Sequence, residues 1–370
     1  MKKIIFLGTL PSSLLNFRGE LIKNLSVDNK VICMASNATY DEINKICSLG
    51  CSYEEAVVKR SGLNPLNDIY YLLQLYKLFK KIKPDLLISY TVKPVIWGGI
   101  AARILRIKDH FPIITGLGYA FQANSYIKKV LKFMVRLLYK ISLNNATKVI
   151  FQNNDNLLLF LEEGLILEKQ CALINGSGIN LNEFKFSEIK SKKYFLLIAR
   201  LLGDKGIREF VKAAKIVKKS HPDAIFEILG PEDPSPDRIS IKEINQWVKN
   251  GYIVYSGSTS DVRAFIDRCS VYVLPSYHEG MPRTVLEAMA MGRPILTTNV
   301  PGCRDTVING KNGWLVKKSD EHELADRMIW FIENPDDAKL MGKNSHEMAC
   351  DKFDVNKVNK SFEEIIGIDN

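Results

Sequence analysis

The sequence predicts an α/β protein made of two successive domains, each built on a parallel sheet, and three observations predict it. Apolar runs of strand length alternate with helix-length patterns in two consecutive rounds, the signature of parallel pairing through crossover helices. Between the rounds lies NGSGINLNEFKFSEIKSKK, rich in Gly, Asn, Ser and Lys, which reads as a connection. The chain has 370 residues, 46% of them apolar, enough to fill two cores at roughly 150 residues per domain.

The first round runs KKIIFLG, a helix near 17–25, KVICMAS, a helix near 40–49, PDLLISY, a helix near 96–105, PIITG, a helix over 126–143, and KVIFQ. In the second round YFLLIAR is followed by a helix at 206–219, AIFEILG, a helix near 240–249, YIVYSG, a helix near 261–268, VYVLPS, a helix near 283–291, and PILTT. PEDPSPD, with three prolines, reads as a loop at a strand end. The expected division is a first domain over 1–176, a linker over 177–192, a second domain over 193–350, and a C-terminal segment, 351–370, whose helix near 355–366 packs back across the junction. Open parallel sheets bind ligands beyond the carboxyl ends of their strands, so two such domains are expected to face each other across a central cleft.

The seven cysteines are odd in number and scattered, which fits reduced thiols; Cys47 and Cys51 lie four apart, but no second pair or histidine cluster joins them. No window approaches the roughly 18 apolar residues needed to span a bilayer, and the apolar run of MKKIIFLGTLPSS is short for a signal peptide and reads as a buried first strand. A cytoplasmic protein, peripheral on the inner face of the cytoplasmic membrane, is the expectation. Its net charge is +10, and the excess sits in the first half, where residues 1–175 hold 23 Lys and Arg against 13 Asp and Glu. Between 110 and 154 there is no carboxylate at all. Such a field attracts diphosphates, anionic membranes or nucleic acid; no nucleic-acid motif accompanies it, and no nucleic-acid partner is expected.

The chemistry concentrates in VYVLPSYHEGMPRTVLEAMAMGRPILTTN. It reads as strand, loop, helix, stop and strand, with Pro282 suited to the first helical turn, Gly292 to the left-handed position after the helix and Pro294 to its termination. Loop amides at Gly280, Met281 and the helix start supply hydrogen-bond donors and the positive end of a dipole, for which a diphosphate is the natural guest. A carboxylate beside phosphates repels them, so Glu279 in the loop and Glu287 on the helix suit sugar and ribose hydroxyls instead. Two glutamates eight apart also arise on ordinary solvated helices.

HEGMPRTVLEAMAMGRPIL resembles the signature of glycosyltransferase family 4, retaining enzymes of the GT-B fold with two Rossmann-like domains, in which two glutamates separated by seven residues flank a glycine-led loop. The resemblance implies that Glu279 contacts the donor sugar, that Glu287 holds the ribose, and that Gly280, Met281, Pro282, Val285 and Ser177 belong to the donor site. IARLLGDKGIREF stands where that family carries a basic pair, which implies that Arg200 and Lys205 neutralise the leaving diphosphate. Cations fixed where charge builds on phosphate oxygens stabilise the transition state more than the ground state; the bland alternative is two solvated surface residues. NGSGIN resembles the family's interdomain loop, with Gly176 and Gly178 permitting close approach to the donor, or alternatively serving as a hinge. The resemblance spans about 175–345.

On the acceptor side, ANSYIKKVLKFMVRLLYKISLNN places Lys129, Lys132, Arg136 and Lys140 on one helical face, with Ile127, Val130, Leu131, Met134, Leu138 and Ile141 alongside. That is the pattern of a helix lying on an anionic leaflet, or of an ordinary surface helix. TGLGYAFQ, with Thr115 and Gly116, and NFRGELI, with Phe17 and Arg18, resemble the subgroup that extends polyprenyl-diphosphate-linked sugars. Many members carry a histidine where this chain has Thr115, and His110 lies five residues too early to replace it.

The implied reaction is front-face transfer of a hexose or N-acetylhexosamine from a UDP-sugar, as co-substrate, to a lipid-diphosphate-linked saccharide, with retained configuration and no cofactor or metal. The chain has no Asp-x-Asp. A glycosidase using Glu279 and Glu287 as acid and base is the rival from another reaction class; a non-catalytic nucleotide-sugar binder is the second.

Overall fold

The structure, a computed structural model, describes residues 1–58, 65–116, 126–190 and 193–368, with side chains of the helix starting at Tyr126 described from Lys132 onward. The chain divides into two compact units, Met1–Ser177 with Val358–Asn370, and Gly178–Lys357.

Among the described residues the first unit runs β1 (Lys3–Leu7), α1 (Pro11–Asp28), β2 (Lys30–Ala35), α2 (Tyr40–Cys47), β3 (Ser52–Glu55), α3 (Pro65–Ile82) and β4 (Leu86–Tyr90). A π-helical turn, Pro94–Gly98, then leads into α4 (Gly99–Leu105), β5 (Asp109–Ile114), α5 (Tyr126–Leu143), β6 (Val149–Phe151), α6 (Asn154–Glu162) and β7 (Cys171–Leu173). The strands form one sheet in the order β3-β2-β1-β4-β5-β6-β7, parallel at every pairing. Helix starts follow local chemistry: Pro11 occupies the first turn of α1, and Thr39 and Glu42 form a capping box on α2.

Alternate strand residues face opposite layers. Ile4, Phe6, Cys33 and Ile88 pack with Leu14, Leu21 and Leu25 of α1, whereas Ile5, Leu7, Met34 and Leu87 pack with Tyr71, Leu75 and Phe79 of α3. The sequence reading does not identify α3, and its composition explains why: the buried face is one residue every four, while Leu66, Ile69, Tyr70 and Leu73 are exposed. Apolar residues thus lie on both sides of the helix and blur its period.

The second unit runs β8 (Tyr194–Ile198), α7 (Ile207–Ser220), β9 (Ile225–Leu229), α8 (Ile241–Lys249), β10 (Val254–Tyr255), α9 (Arg263–Arg268), β11 (Val271–Leu274) and α10 (Arg283–Ala290). It continues through β12 (Ile295–Thr298), β13 (Gly313–Val316), α11 (Glu321–Glu333), α12 (Pro335–Met348) and α13 (Val355–Ile366). Its sheet order is β10-β9-β8-β11-β12-β13, again parallel at every pairing. Both sheets have the doubly wound α/β order in which the first strand of each unit lies inside the sheet, flanked by the second strand on one side and a later strand on the other.

The segment read as a linker is packed from its start. The Ile179 amide donates to the Phe353 carbonyl at 2.7 Å, the Val355 amide returns a bond to Ile179 at 3.0 Å, and Phe184 is buried in the second unit's core. Gly178 lies against the Val355 backbone, so its close approach is to protein. Helix α13 covers the residues expected, and Phe362, Ile366 and Ile368 complete the core around β1, β2 and β4.

His110, on β5, is buried and shares a 3.0 Å hydrogen bond with the Ser89 hydroxyl. Burial holds its imidazole down to about 3, below the ordinary unfolded value near 6.5, so the folded chain binds fewer protons between those limits. Its contribution to stability is present above about pH 6.5 and is lost as pH falls toward 3, at up to about 1.4 kcal/mol per pH unit. His110→Gln keeps a hydrogen-bonding side chain without the titration; melting temperatures between pH 6.5 and 4 are expected to fall less steeply in that variant than in the parent.

Candidate functional site

The chemistry-bearing residues of the second unit converge at the carboxyl ends of β8, β9 and β11. Strand β8 ends at Ile198 and the chain turns through Arg200 into a 3₁₀ turn, Gly203–Lys205, ahead of α7. The loop after β11 carries Glu279, and the two loops are tied together: the Tyr277 amide donates to the Asp204 carbonyl at 2.8 Å, and the Ser276 hydroxyl donates to the same carbonyl at 3.2 Å.

Gly206 makes this approach possible. Its φ is +70°, and a Cβ built there falls 2.0 Å from the Pro275 carbonyl oxygen. Only a residue without a side chain takes that backbone conformation against a neighbouring main chain. The consequence is a Lys205 Nζ to Glu279 Oε1 ion pair at 2.6 Å, with both side chains about 15% exposed. Burial pulls the Lys205 ammonium down, but the Glu279 and Asp204 carboxylates outweigh it and hold it above its ordinary value. Lys205 is therefore a fixed cation whose charged form its carboxylate neighbours favour. Burial raises the Asp204 carboxyl despite the opposing charge of Lys205.

Arg200 Nη1 donates to Asp233 Oδ2, and Asp233 is buried while the Arg200 side chain remains 39% exposed. Burial pushes the Asp233 carboxyl up, yet hydrogen bonds from Ser235 and Arg200 overcome it and leave it below the usual range. Asp233 anchors one edge of a guanidinium that still reaches solvent. It lies in the proline-rich loop after β9, which the sequence places at a strand end without indicating that an acid there would meet Arg200.

Helix α10 begins at Arg283, where the sequence places it, but Pro282, read as a first-turn residue, is its N-cap, with φ −75° and ψ 104°. Gly292 adopts φ +77°, the left-handed position expected of it. Gly280 and Pro282 are buried, Met281 is half-buried, and Val285 is in the core. Glu287 is buried, and Arg283 Nε donates to its Oε1 at 2.9 Å. Burial raises the Glu287 carboxyl, and the Arg283 charge opposes the rise. Arg283 was not among the sequence candidates, although its i,i+4 spacing to Glu287 is a readable signal.

The candidates of the first unit do not form a comparable cluster among the described residues. Ser177 closes that unit and is buried. Phe17 is exposed and Arg18 buried, both on α1; Thr115 and Gly116 are half-buried just after β5, and the rest of TGLGYAFQ lies outside the described residues. Helix α5 spans the predicted interval. The Lys129 side chain is outside the described residues, while Lys132 and Arg136 pair with Glu163 at 3.4 and 2.9 Å. The apolar face differs from the one read in sequence: Phe133, Met134, Leu137 and Ile141 are exposed, whereas Leu138 packs inward.

Residues 179–348 match the family described as glycosyl transferases group 1, and residues 3–153 match that described as glycosyl transferase 4-like. The chain is 29% identical, over 97% of both chains, to the N,N'-diacetylbacillosaminyl-diphospho-undecaprenol alpha-1,3-N-acetylgalactosaminyltransferase of Campylobacter jejuni. It is 24% identical to the Escherichia coli UDP-Gal:alpha-D-GlcNAc-diphosphoundecaprenol alpha-1,3-galactosyltransferase, over 91% of this chain and 88% of that one. In fold it is similar to Anabaena HepE, solved with UDP and glucose, at a TM-score of 0.82 and 18% identity, covering 99% of this chain and 100% of that one.

Proposed function

We infer the reaction from the premise that the chain belongs to the family 4 glycosyltransferases of the GT-B fold, its second half matching group 1 and its first half the 4-like set. The protein is a hexosyltransferase. The activity we propose is transfer of a hexose or N-acetylhexosamine from a UDP-sugar to a saccharide carried on a lipid diphosphate, in surface polysaccharide or glycan assembly. Support comes from the two undecaprenol-diphosphate relatives, and the observation that carries the mechanism is the Lys205–Glu279 pair beside Arg200.

In this reading the second unit holds the donor. Glu287 accepts from the ribose hydroxyls, with Arg283 fixing its carboxylate, and the loop at Gly280 and Met281 presents amides to the diphosphate together with the start of α10. Glu279 accepts from sugar hydroxyls while orienting Lys205. As the bond from the anomeric carbon to the diphosphate oxygen lengthens, negative charge grows on the phosphate, and Lys205 and Arg200 stabilise it without reorganising. The acceptor oxygen bonds to the same face of that carbon, its proton passes to the departing phosphate oxygen, and configuration is retained. No protein carboxylate attacks, so the pairing of Glu279 with a cation is compatible with its role, whereas that partner favours the ionised carboxylate and opposes the protonated form a glycosidase general acid requires. Thr115 and Gly116, with Phe17 and Arg18, are the proposed acceptor-side residues. Helix α5 is the proposed contact with the inner face of the cytoplasmic membrane.

A panel of nucleotide sugars followed by thermal stabilisation tests this. One UDP-sugar at 100 times its dissociation constant is expected to add about 2.7 kcal/mol to folding, and Glu287→Ala is expected to abolish the shift at the same concentration. Stabilisation by no nucleotide sugar, or an undiminished shift in Glu287→Ala, removes the donor assignment. Turnover with acceptor then separates an enzyme from a binder.

A further inference from the structure

Helix α3 carries a surface that the reaction leaves unused. Leu66, Ile69, Tyr70 and Leu73 follow the i, i+3, i+4, i+7 spacing of one helical face and are 51 to 75% exposed. Farther along the same helix the exposed positions become Lys77, Lys80 and Lys81. The helix's single carboxylate, Asp68, is neutralised by Lys93 at 2.8 Å. Helix α4 packs against both α3 and α5, so the three belong to one layer of the first unit. Ile104 of α4 is exposed, with Arg103 and Arg106 exposed beside it. On α5, Phe133, Met134 and Leu137 are 50 to 68% exposed.

We propose that α3 is a second membrane anchor, so that this helical layer binds an anionic lipid surface through two separate apolar strips, one on α3 and one on α5. The inference rests on the lipid-linked acceptor reading and extends the contact beyond the single helix read from the sequence. Charge complementarity selects the occupant: the exposed charges named on the layer are all cationic, which favours anionic headgroups and opposes a second copy presenting the same cations. An apolar strip bordered by Lys and Arg, with a tyrosine among the aliphatic residues, is the composition that sits between headgroups and acyl chains.

Flotation of the full chain with vesicles of phosphatidylglycerol and phosphatidylethanolamine, set against phosphatidylcholine alone, tests the proposal. Ile69→Glu with Leu73→Glu is expected to weaken partitioning into the anionic vesicles about tenfold or more, as is Leu137→Glu, with a larger loss when they are combined. Leu73→Trp is expected to retain binding. These positions are exposed, so melting temperature and stabilisation by UDP are expected to stay at parental values. Unchanged vesicle binding in the α3 variant while UDP still stabilises it overturns the second anchor and leaves the donor chemistry intact. Absence of UDP stabilisation in the parent strikes the reaction assignment instead. Equal binding to phosphatidylcholine overturns the electrostatic argument, and loss of a dimer in the α3 variant, seen by light scattering, reassigns the face to self-association.

Discussion

Turnover of Lys205→Ala is expected to fall about 10²- to 10³-fold, the usual loss when one preorganised charge-stabilising group is removed from a reacting centre. Lys205 is held at 2.6 Å from Glu279 with little solvent around it, so water entering the space cannot reproduce a fixed positive charge. Because the phosphate gains charge as the glycosidic bond breaks, the loss belongs to kcat more than to donor affinity. Single-turnover rates beside UDP-sugar dissociation constants measure the split. A deficit confined to affinity makes Lys205 a binding residue only, and an unchanged rate removes it from the mechanism. Arg200→Ala is expected to lose less, since its side chain is 39% exposed and partly committed to Asp233.

Gly206→Ala is expected to be strongly destabilising. The left-handed backbone costs an alanine roughly 1–2 kcal/mol, and the collision with the Pro275 carbonyl adds a backbone displacement, for a total on the order of 3 kcal/mol. Gly251→Ala is the matched control: its φ is +71°, but nothing lies within 4 Å of the added Cβ, so only the conformational part is expected. Chemical denaturation of the two variants measures the difference, and equal losses dismiss the collision. Turnover is expected to fall in Gly206→Ala alone, because moving Pro275 away moves the loops bearing Lys205 and Glu279 apart.

What could be read in advance follows from how much each signal is local. Helix α5 and helix α13 have the extents read from sequence. Helices α3, α6, α11 and α12 are not identified; α3 exposes apolar residues on its outer side, and in α11 the run MIWFI places consecutive large residues around the helix. In the site, the glutamates, the loop glycine and the basic pair were legible because one short segment carries each. Asp233 was not: it sits 33 residues from Arg200, and only the side-by-side pairing of β8 with β9 brings their following loops together. Gly206 resembles any helix-leading glycine until Pro275 is seen against it. Long-range approach, not composition, decides such residues.

The return of the chain after Val358 has a consequence for biosynthesis. Phe362, Ile366 and Ile368 fill the same core as Ile4, Phe6 and Leu14, so a ribosome that has delivered the whole first sheet has still not delivered the residues that close it. The second unit, contiguous from Gly178 to Lys357, emerges complete while the earlier one waits. Vectorial synthesis therefore finishes the two halves in the reverse of their order along the message, and a nonsense codon just after Lys357 injures the half translated first.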